Sequence, residues 1–165
     1  MSEAALPALD LAREALRRAT ARNLLLATAE SCTGGLIAAT MTEIAGCSSA
    51  FERGYVTYSN QAKMDCLGVP AAILDAHGAV SEETARAMAE GALTHSRADA
   101  AVAVTGVAGP DGGTPEKPVG LVHLAAARHG RPTLHRVERF PGDRAAVRAA
   151  TARAAFEMLV KILTD

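Results

Sequence analysis

The chain has no tryptophan, only 3% aromatic residues, three cysteines and three lysines in 165 residues. Each shortage excludes something. A core without large aromatics is not that of an aromatic-rich sandwich or barrel. Cysteines at 32, 47 and 66 make no disulfide framework and no CxxC pair, which fits a reduced, cytoplasmic protein. No stretch approaches the roughly 18 consecutive apolar residues of a membrane span. The first residues carry acids where a signal peptide carries bases, so neither membrane nor export is expected. Excess charge of one sign is missing as well: the formal net charge is -1. That leaves no electrostatic footprint for nucleic acid, although local arginine clusters can still hold a phosphate.

What the chain does have is alanine, 37 residues of it, within a hydrophobic share of 49%. Small side chains let helices lie close on a sheet. A chain of this length buries roughly two-thirds of its unfolded surface in one core, without a metal or disulfide staple. No repeat or low-complexity linker divides it, so residues 1–165 are read as one domain.

Apolar spacing predicts a helix over 8–22 with an arginine-rich outer face. The run at 24–29 is continuously apolar, as in a buried parallel strand. A strand is predicted within 51–58, short helices over 61–68 and 71–78, and a long helix opened by Ser81. Further strands are predicted over 100–106, 120–127 and 134–140, and a final helix starts at Asp143. The last two strands are read as a hairpin, the first central and the second nearer an edge. The expected fold is α/β, a three-layer α/β/α sandwich with a mixed central sheet.

Three polar segments adjoin these strands, where open α/β sheets place ligands. The first is Glu30-Ser31-Cys32-Thr33-Gly34-Gly35. Ser31 is either a capping serine or a hydroxyl presented beside free N–H groups that can hold an oxyanion or phosphate. Cys32 is the other potential nucleophile, or else inert core. The second segment is Tyr58-Ser59-Asn60-Gln61-Ala62-Lys63. With Ser59 as cap, Lys63 falls near a helix N-terminus, where a cation is disfavoured. It is therefore either splayed to solvent or, if buried, driven toward the neutral form that a general base requires. Tyr58, ending the preceding strand, can face the same pocket.

The third segment, 105–118, is a long glycine- and proline-rich loop without a Walker or dinucleotide signature, and ligand binding is its favoured role. Arg144 and Arg148 lie one turn apart on the final helix. Arg144 is placed to reach a phosphate, and Arg148 is read as solvated face. The histidines at 77, 95, 123, 129 and 135 have no metal-ligand spacing, and His123 is read as core or interface.

Four segments, TAESCTGG (28–35), FERGYVTYSNQAK (51–63), AVAVTGVAGPDGGTPEKPVG (101–120) and FPGDRAAVR (140–148), resemble the C-terminal domain of the competence/damage-inducible CinA family. The resemblance covers roughly residues 10–160, in family order, and looks like the stand-alone form without the preceding molybdopterin-binding-like domain. It implies a nicotinamide-nucleotide amidohydrolase that converts nicotinamide mononucleotide to nicotinate mononucleotide and ammonia. It also implies a serine–lysine mechanism, with Ser31 as nucleophile, Lys63 as base and Tyr58 assisting. On the same resemblance Thr33, Gly34, Gly35, Thr105, Gly106, Gly109, Lys117 and Arg144 are expected to bind substrate and its phosphate. No cofactor and no metal are implied, and the expected assembly is a homodimer. The competing class is a module that binds a nucleotide or phosphate without turnover, tied to competence or a damage response. Ammonia release separates the two.

Overall fold

A computed structural model describes residues 6–164. The first five residues, part of the acidic start that argued against a leader, and residue 165 lie outside the description. Strands β1 (Leu26–Glu30), β2 (Phe51–Val56), β3 (Ala100–Gly106), β4 (Leu121–Arg128) and β5 (Leu134–Arg139) form one sheet in the order β2-β1-β3-β4-β5. The first three are mutually parallel, and β4 runs antiparallel to both β3 and β5. The mixed sheet and the terminal hairpin agree with the sequence. β1 starts two residues later than the apolar run suggests, because Leu24 N–H still bonds the carbonyl of Ala19 at the end of the first helix.

Helices α1 (Leu9–Ala21), α2 (Leu36–Thr42) and α6 (Arg144–Ile162) cover one face, while α3 (Asn60–Leu67), α4 (Ala71–His77) and α5 (Glu82–Thr94) cover the other. The alanines separate accordingly. On the α5 face, Ala85, Ala89 and Ala92 meet Ala101, Ala103, Ala125 and Ala127 of the sheet, all essentially without solvent contact. Small side chains on both partners bring helix and sheet close. At Gly91 an added Cβ would stand 2.0 Å from the Leu67 carbonyl oxygen, so only glycine lets α5 and α3 approach this closely. The opposite face is filled by larger groups, with Phe156 of α6 fully buried among Val102, Leu124 and Leu159. Truncating such a phenylalanine to alanine costs about 3–5 kcal/mol.

Three helices start where capping residues predict. Ser59 Oγ accepts from Ala62 N–H, Ser81 Oγ from Thr84 N–H, and Asp143 from Ala146 N–H. Register then gathers the polar segments. Glu30 ends β1 opposite Val56 and Val104, so Ser31, Thr57 and Thr105 emerge together at the carboxyl edge of the parallel strands. α6 begins at the same edge. Among the described residues no helix is long and apolar enough to cross a membrane.

Candidate active site at the carboxyl edge of the sheet

Ser31 continues the ladder one residue past β1, its N–H bonding the Val104 carbonyl at 3.1 Å. The chain then turns sharply through Gly34 and Gly35, whose φ values of +61° and +104° a side chain would resist. Glu30 holds this turn. Its carboxylate is fully buried and accepts from Thr33 Oγ1 at 2.6 Å, Ile37 N–H at 2.9 Å and Ala38 N–H at 3.0 Å. Two first-turn donors of α2, the N–H groups of Ile37 and Ala38, are therefore committed to Glu30, and Thr33 Oγ1 with them. The N–H groups of Cys32, Thr33 and Gly35 are bonded to no backbone carbonyl among the described residues, which leaves them as the local donors for a developing negative charge.

Lys63 comes from the other side. The Ser59 cap starts α3, and one turn later the lysine side chain runs inward with 1% exposure, among the largest fully buried side chains of the fold. Its Nζ lies 3.0 Å from Ser31 Oγ and donates to the Thr57 carbonyl at 2.9 Å. No carboxylate pairs with it among the described residues. Burial lowers its pKa below the ordinary lysine value, since an ammonium there loses water without gaining a counter-ion. The adjacent helix N-terminus acts in the same direction. Of the two readings open to Lys63, the structure takes the buried one.

Cys32 is 4% exposed within the core, and burial pushes its thiol up to about 12. A group so rarely ionised is inert core.

The remaining predicted residues do not all converge. Tyr58 stands two residues beyond β2, 60% exposed, and its hydroxyl accepts from Arg144 Nη2 at 2.9 Å. It thus groups with Arg144 and not with the Ser31–Lys63 contact. Arg144 also donates to the Gly109 carbonyl at 2.7 Å, tying the 107–120 loop to α6. Thr105 Oγ1 is occupied by the Ala79 carbonyl at 2.8 Å. Gly106 is required by packing: an added Cβ would meet the Leu121 carbonyl oxygen at 2.7 Å. Lys117 Nζ bonds the His77 carbonyl at 2.6 Å, at the end of α4, apart from both arginines. Arg148 corrects its solvated reading. It is half-buried and donates to the Thr33 carbonyl at 2.8 Å, because the turn after Ser31 folds back over the first turns of α6.

Arg144 and Arg148 share the wall of a cavity of about 680 Å³ with Ala108, Pro110 and Val119. Asp143 lines it as well, its carboxylate accepting from Ala146 N–H at 2.9 Å, so two cations against one capping carboxylate, with an apolar opposite wall, suit an anionic group attached to a flat organic body. His123 and His135 stack with ring centroids 5.2 Å apart and share a 3.0 Å N···N contact on the α5 side of the sheet. No group of three or more potential ligands among the described residues is placed to hold a metal ion. Sequence reasoning missed roles for Glu30, Thr57 and Arg148. Glu30 stood directly beside Ser31 as a visible signal; a backbone acceptor such as Thr57 leaves none.

The CinA C-terminal domain model matches residues 8–163. The chain belongs to the CinA family. Within that family it is similar to the solved competence/damage inducible protein CihA of Agrobacterium tumefaciens, at 51% identity and a TM-score of 0.95, over 99% of this chain and 100% of that one. A CinA superfamily protein of Escherichia coli is similar at 34% identity and a TM-score of 0.89, over 98% and 93%. A CinA-like protein of Syntrophus aciditrophicus is 55% identical over 87% of this chain, but only 34% of its own length is matched. The chain thus spans about a third of that curated relative.

Proposed function

We propose that this CinA domain is a serine–lysine amidohydrolase acting on nicotinamide mononucleotide, releasing ammonia and nicotinate mononucleotide. The observation that carries the reading is a buried lysine, without a carboxylate partner, 3.0 Å from a serine at the mouth of a sheet. An ammonium is poorly accommodated there. A neutral amine can donate to Thr57 and accept the Ser31 hydroxyl proton in one geometry.

An amide is a weak electrophile, so the serine needs both a base and oxyanion donors. Lys63 Nζ takes the proton as Ser31 Oγ bonds to the carboxamide carbon, and the N–H groups of Cys32, Thr33 and Gly35 are the donors available to the oxyanion. The same Nζ returns the proton to the departing nitrogen, which leaves as ammonia while the C–N bond breaks. A water, deprotonated by Lys63, then attacks the nicotinoyl ester and restores Ser31. Tyr58 holds Arg144 at the cavity, where the substrate's 5′-phosphate would lie, with Arg148 beside it. The pyridinium ring makes the carboxamide more reactive than a plain amide. Ammonia release from nicotinamide mononucleotide by the purified chain tests the reading. Binding without any ammonia would leave a nucleotide-binding module.

A further inference from the structure

Two buried side-chain atoms among the described residues have no hydrogen-bond partner, Thr28 Oγ1 and Thr57 Oγ1. Thr28 lies mid-strand in β1 and is closed in by Gly54, where an added Cβ would stand only 2.7 Å from its hydroxyl. Thr57 lies at the reacting pair. Its N–H bonds the Glu30 carbonyl at 2.8 Å, so the β1–β2 ladder runs on to residue 57. Side chains alternate along a strand, which puts Thr57 on the same face as Tyr55, the face that α3 covers and from which Lys63 arrives. The carbonyl of the same threonine holds Lys63 Nζ at 2.9 Å, and covalent geometry keeps the hydroxyl within about 5 Å of that oxygen. The residue is fully buried, and an unpaired hydroxyl in a protein interior is costly where valine would fill the same space.

Lys63 has the matching shortage. Its Nζ has three positions for hydrogen bonds, and two are taken, by the Thr57 carbonyl and by Ser31 Oγ. The third is left idle on a side chain of 1% exposure. We propose that Thr57 Oγ1 and this third position of Lys63 hold the water that hydrolyses the nicotinoyl ester, an inference that rests on the amidohydrolase reading above. One water satisfies both idle groups, and it stands beside the base that must activate it. Acylation removes the hydrogen from Ser31 Oγ, so the lone pair of Nζ is no longer engaged there. Rotation about the Cε–Nζ bond turns that pair to the water, whose other hydrogen is accepted by Thr57 Oγ1. As the water oxygen bonds to the acyl carbon, its proton passes to Nζ. The adduct then collapses: the bond from carbon to Ser31 Oγ breaks, and Nζ returns the proton to Oγ. Thr57 thus acts only in the second half of the reaction, after ammonia has left.

Thr57→Val in the whole chain keeps the backbone carbonyl that anchors Lys63 and removes only the hydroxyl. Loss of a positioned water should slow hydrolysis of the ester about a hundredfold. Ammonia leaves before that step, so kcat and KM should fall together while kcat/KM stays within about twofold of the parent. Rapid mixing with nicotinamide mononucleotide should give a first burst of about one ammonia per active site, and intact-mass measurement should find the ester on Ser31. Thr57→Ser should restore steady turnover. The Val variant should melt no lower than the parent, since the hydroxyl it loses has no partner. A parental kcat in the Val variant, loss of kcat/KM in step with kcat, or a Ser variant as slow as the Val variant would each overturn the proposal. A parent that releases no ammonia removes the amidohydrolase reading and the water site with it, whereas an active parent with an unaffected Val variant removes the water site alone.

Discussion

Lys63 Nζ and Ser31 Oγ stand 3.0 Å apart across the ends of two elements that the sequence separates by 32 positions. β1 delivers the serine and the capped start of α3 delivers the lysine, and no carboxylate stands between them. Replacing Ser31 with alanine removes the hydroxyl but leaves Lys63 its bond to the Thr57 carbonyl. Ammonia release from nicotinamide mononucleotide should fall by at least about a thousandfold, the scale of losing a covalent nucleophile. The fold, followed by circular dichroism, should persist. Near-parental turnover in this variant would exclude Ser31 as nucleophile.

Lys63 couples catalysis to stability with a defined sign. Its folded pKa lies below the ordinary 10.5 because of burial. At pH above 10.5 both folded and unfolded forms are neutral, and the group contributes nothing. As pH falls below that value the unfolded chain takes up a proton that the folded chain resists, so the penalty grows until the lowered folded pKa is reached. Lys63→Met should therefore be inactive yet more stable than the parent at pH 7, with the gain shrinking toward pH 10. Urea unfolding at the two pH values measures it. A destabilised Met variant at pH 7 would mean that the lysine is charged and paired in the fold.

The three capping residues, the strand order at the hairpin and the alanine-lined core were legible because they are local or periodic. A serine before a helical run caps it wherever the helix goes. Directions of loop side chains are not local. Tyr58, two residues from the end of β2, faces Arg144 because α6 begins beside it, a contact set by 86 positions of intervening chain. Arg148 looked solvated because its helix pattern is polar on that side, yet the 31–35 turn covers it. Lys117 shared a glycine-rich loop with Gly109, and the loop's path carries it to α4 instead of the arginine cavity.

Glu30 fixes the nucleophile turn through three bonds, to Thr33 Oγ1, Ile37 N–H and Ala38 N–H. Glu30→Ala leaves three partners, two of them fully buried, short of an acceptor and should destabilise by about 2–4 kcal/mol. Glu30→Gln retains one carbonyl oxygen but brings an amide that cannot accept, so it should lose part of the stability and most of the turnover. Denaturant unfolding and ammonia release on the same samples check both. Full activity in Glu30→Gln would show that the turn needs only the shape of the side chain.

Cys32 and Cys66 separate by reactivity. Cys66 is exposed, whereas the Cys32 thiol is buried with its pKa pushed up to about 12. At pH 8 a thiol reagent should label Cys66 promptly and Cys32 only as the protein unfolds. Cys32→Ala should keep its turnover within about twofold and cost about 1 kcal/mol for the lost packing. Inactivation of the native protein in step with Cys32 labelling would return that thiol to the chemistry.

Arg144 and Arg148 line one cavity but are tied to different neighbours, and their variants should differ. Arg144 bonds Tyr58 and the Gly109 carbonyl, neither of which is hydrogen-bonded to Ser31. Arg148 bonds the Thr33 carbonyl, two residues from the nucleophile. Arg144→Gln should raise KM for nicotinamide mononucleotide about tenfold, the worth of one charge-assisted bond, with kcat little changed. On nicotinamide riboside, which has no phosphate, the same variant should match the parent. Arg148→Met keeps the apolar stem but frees the turn, so kcat should fall on both substrates. Steady-state kinetics with the two substrates reads the split directly. Equal losses on riboside and mononucleotide in Arg144→Gln would place the phosphate elsewhere.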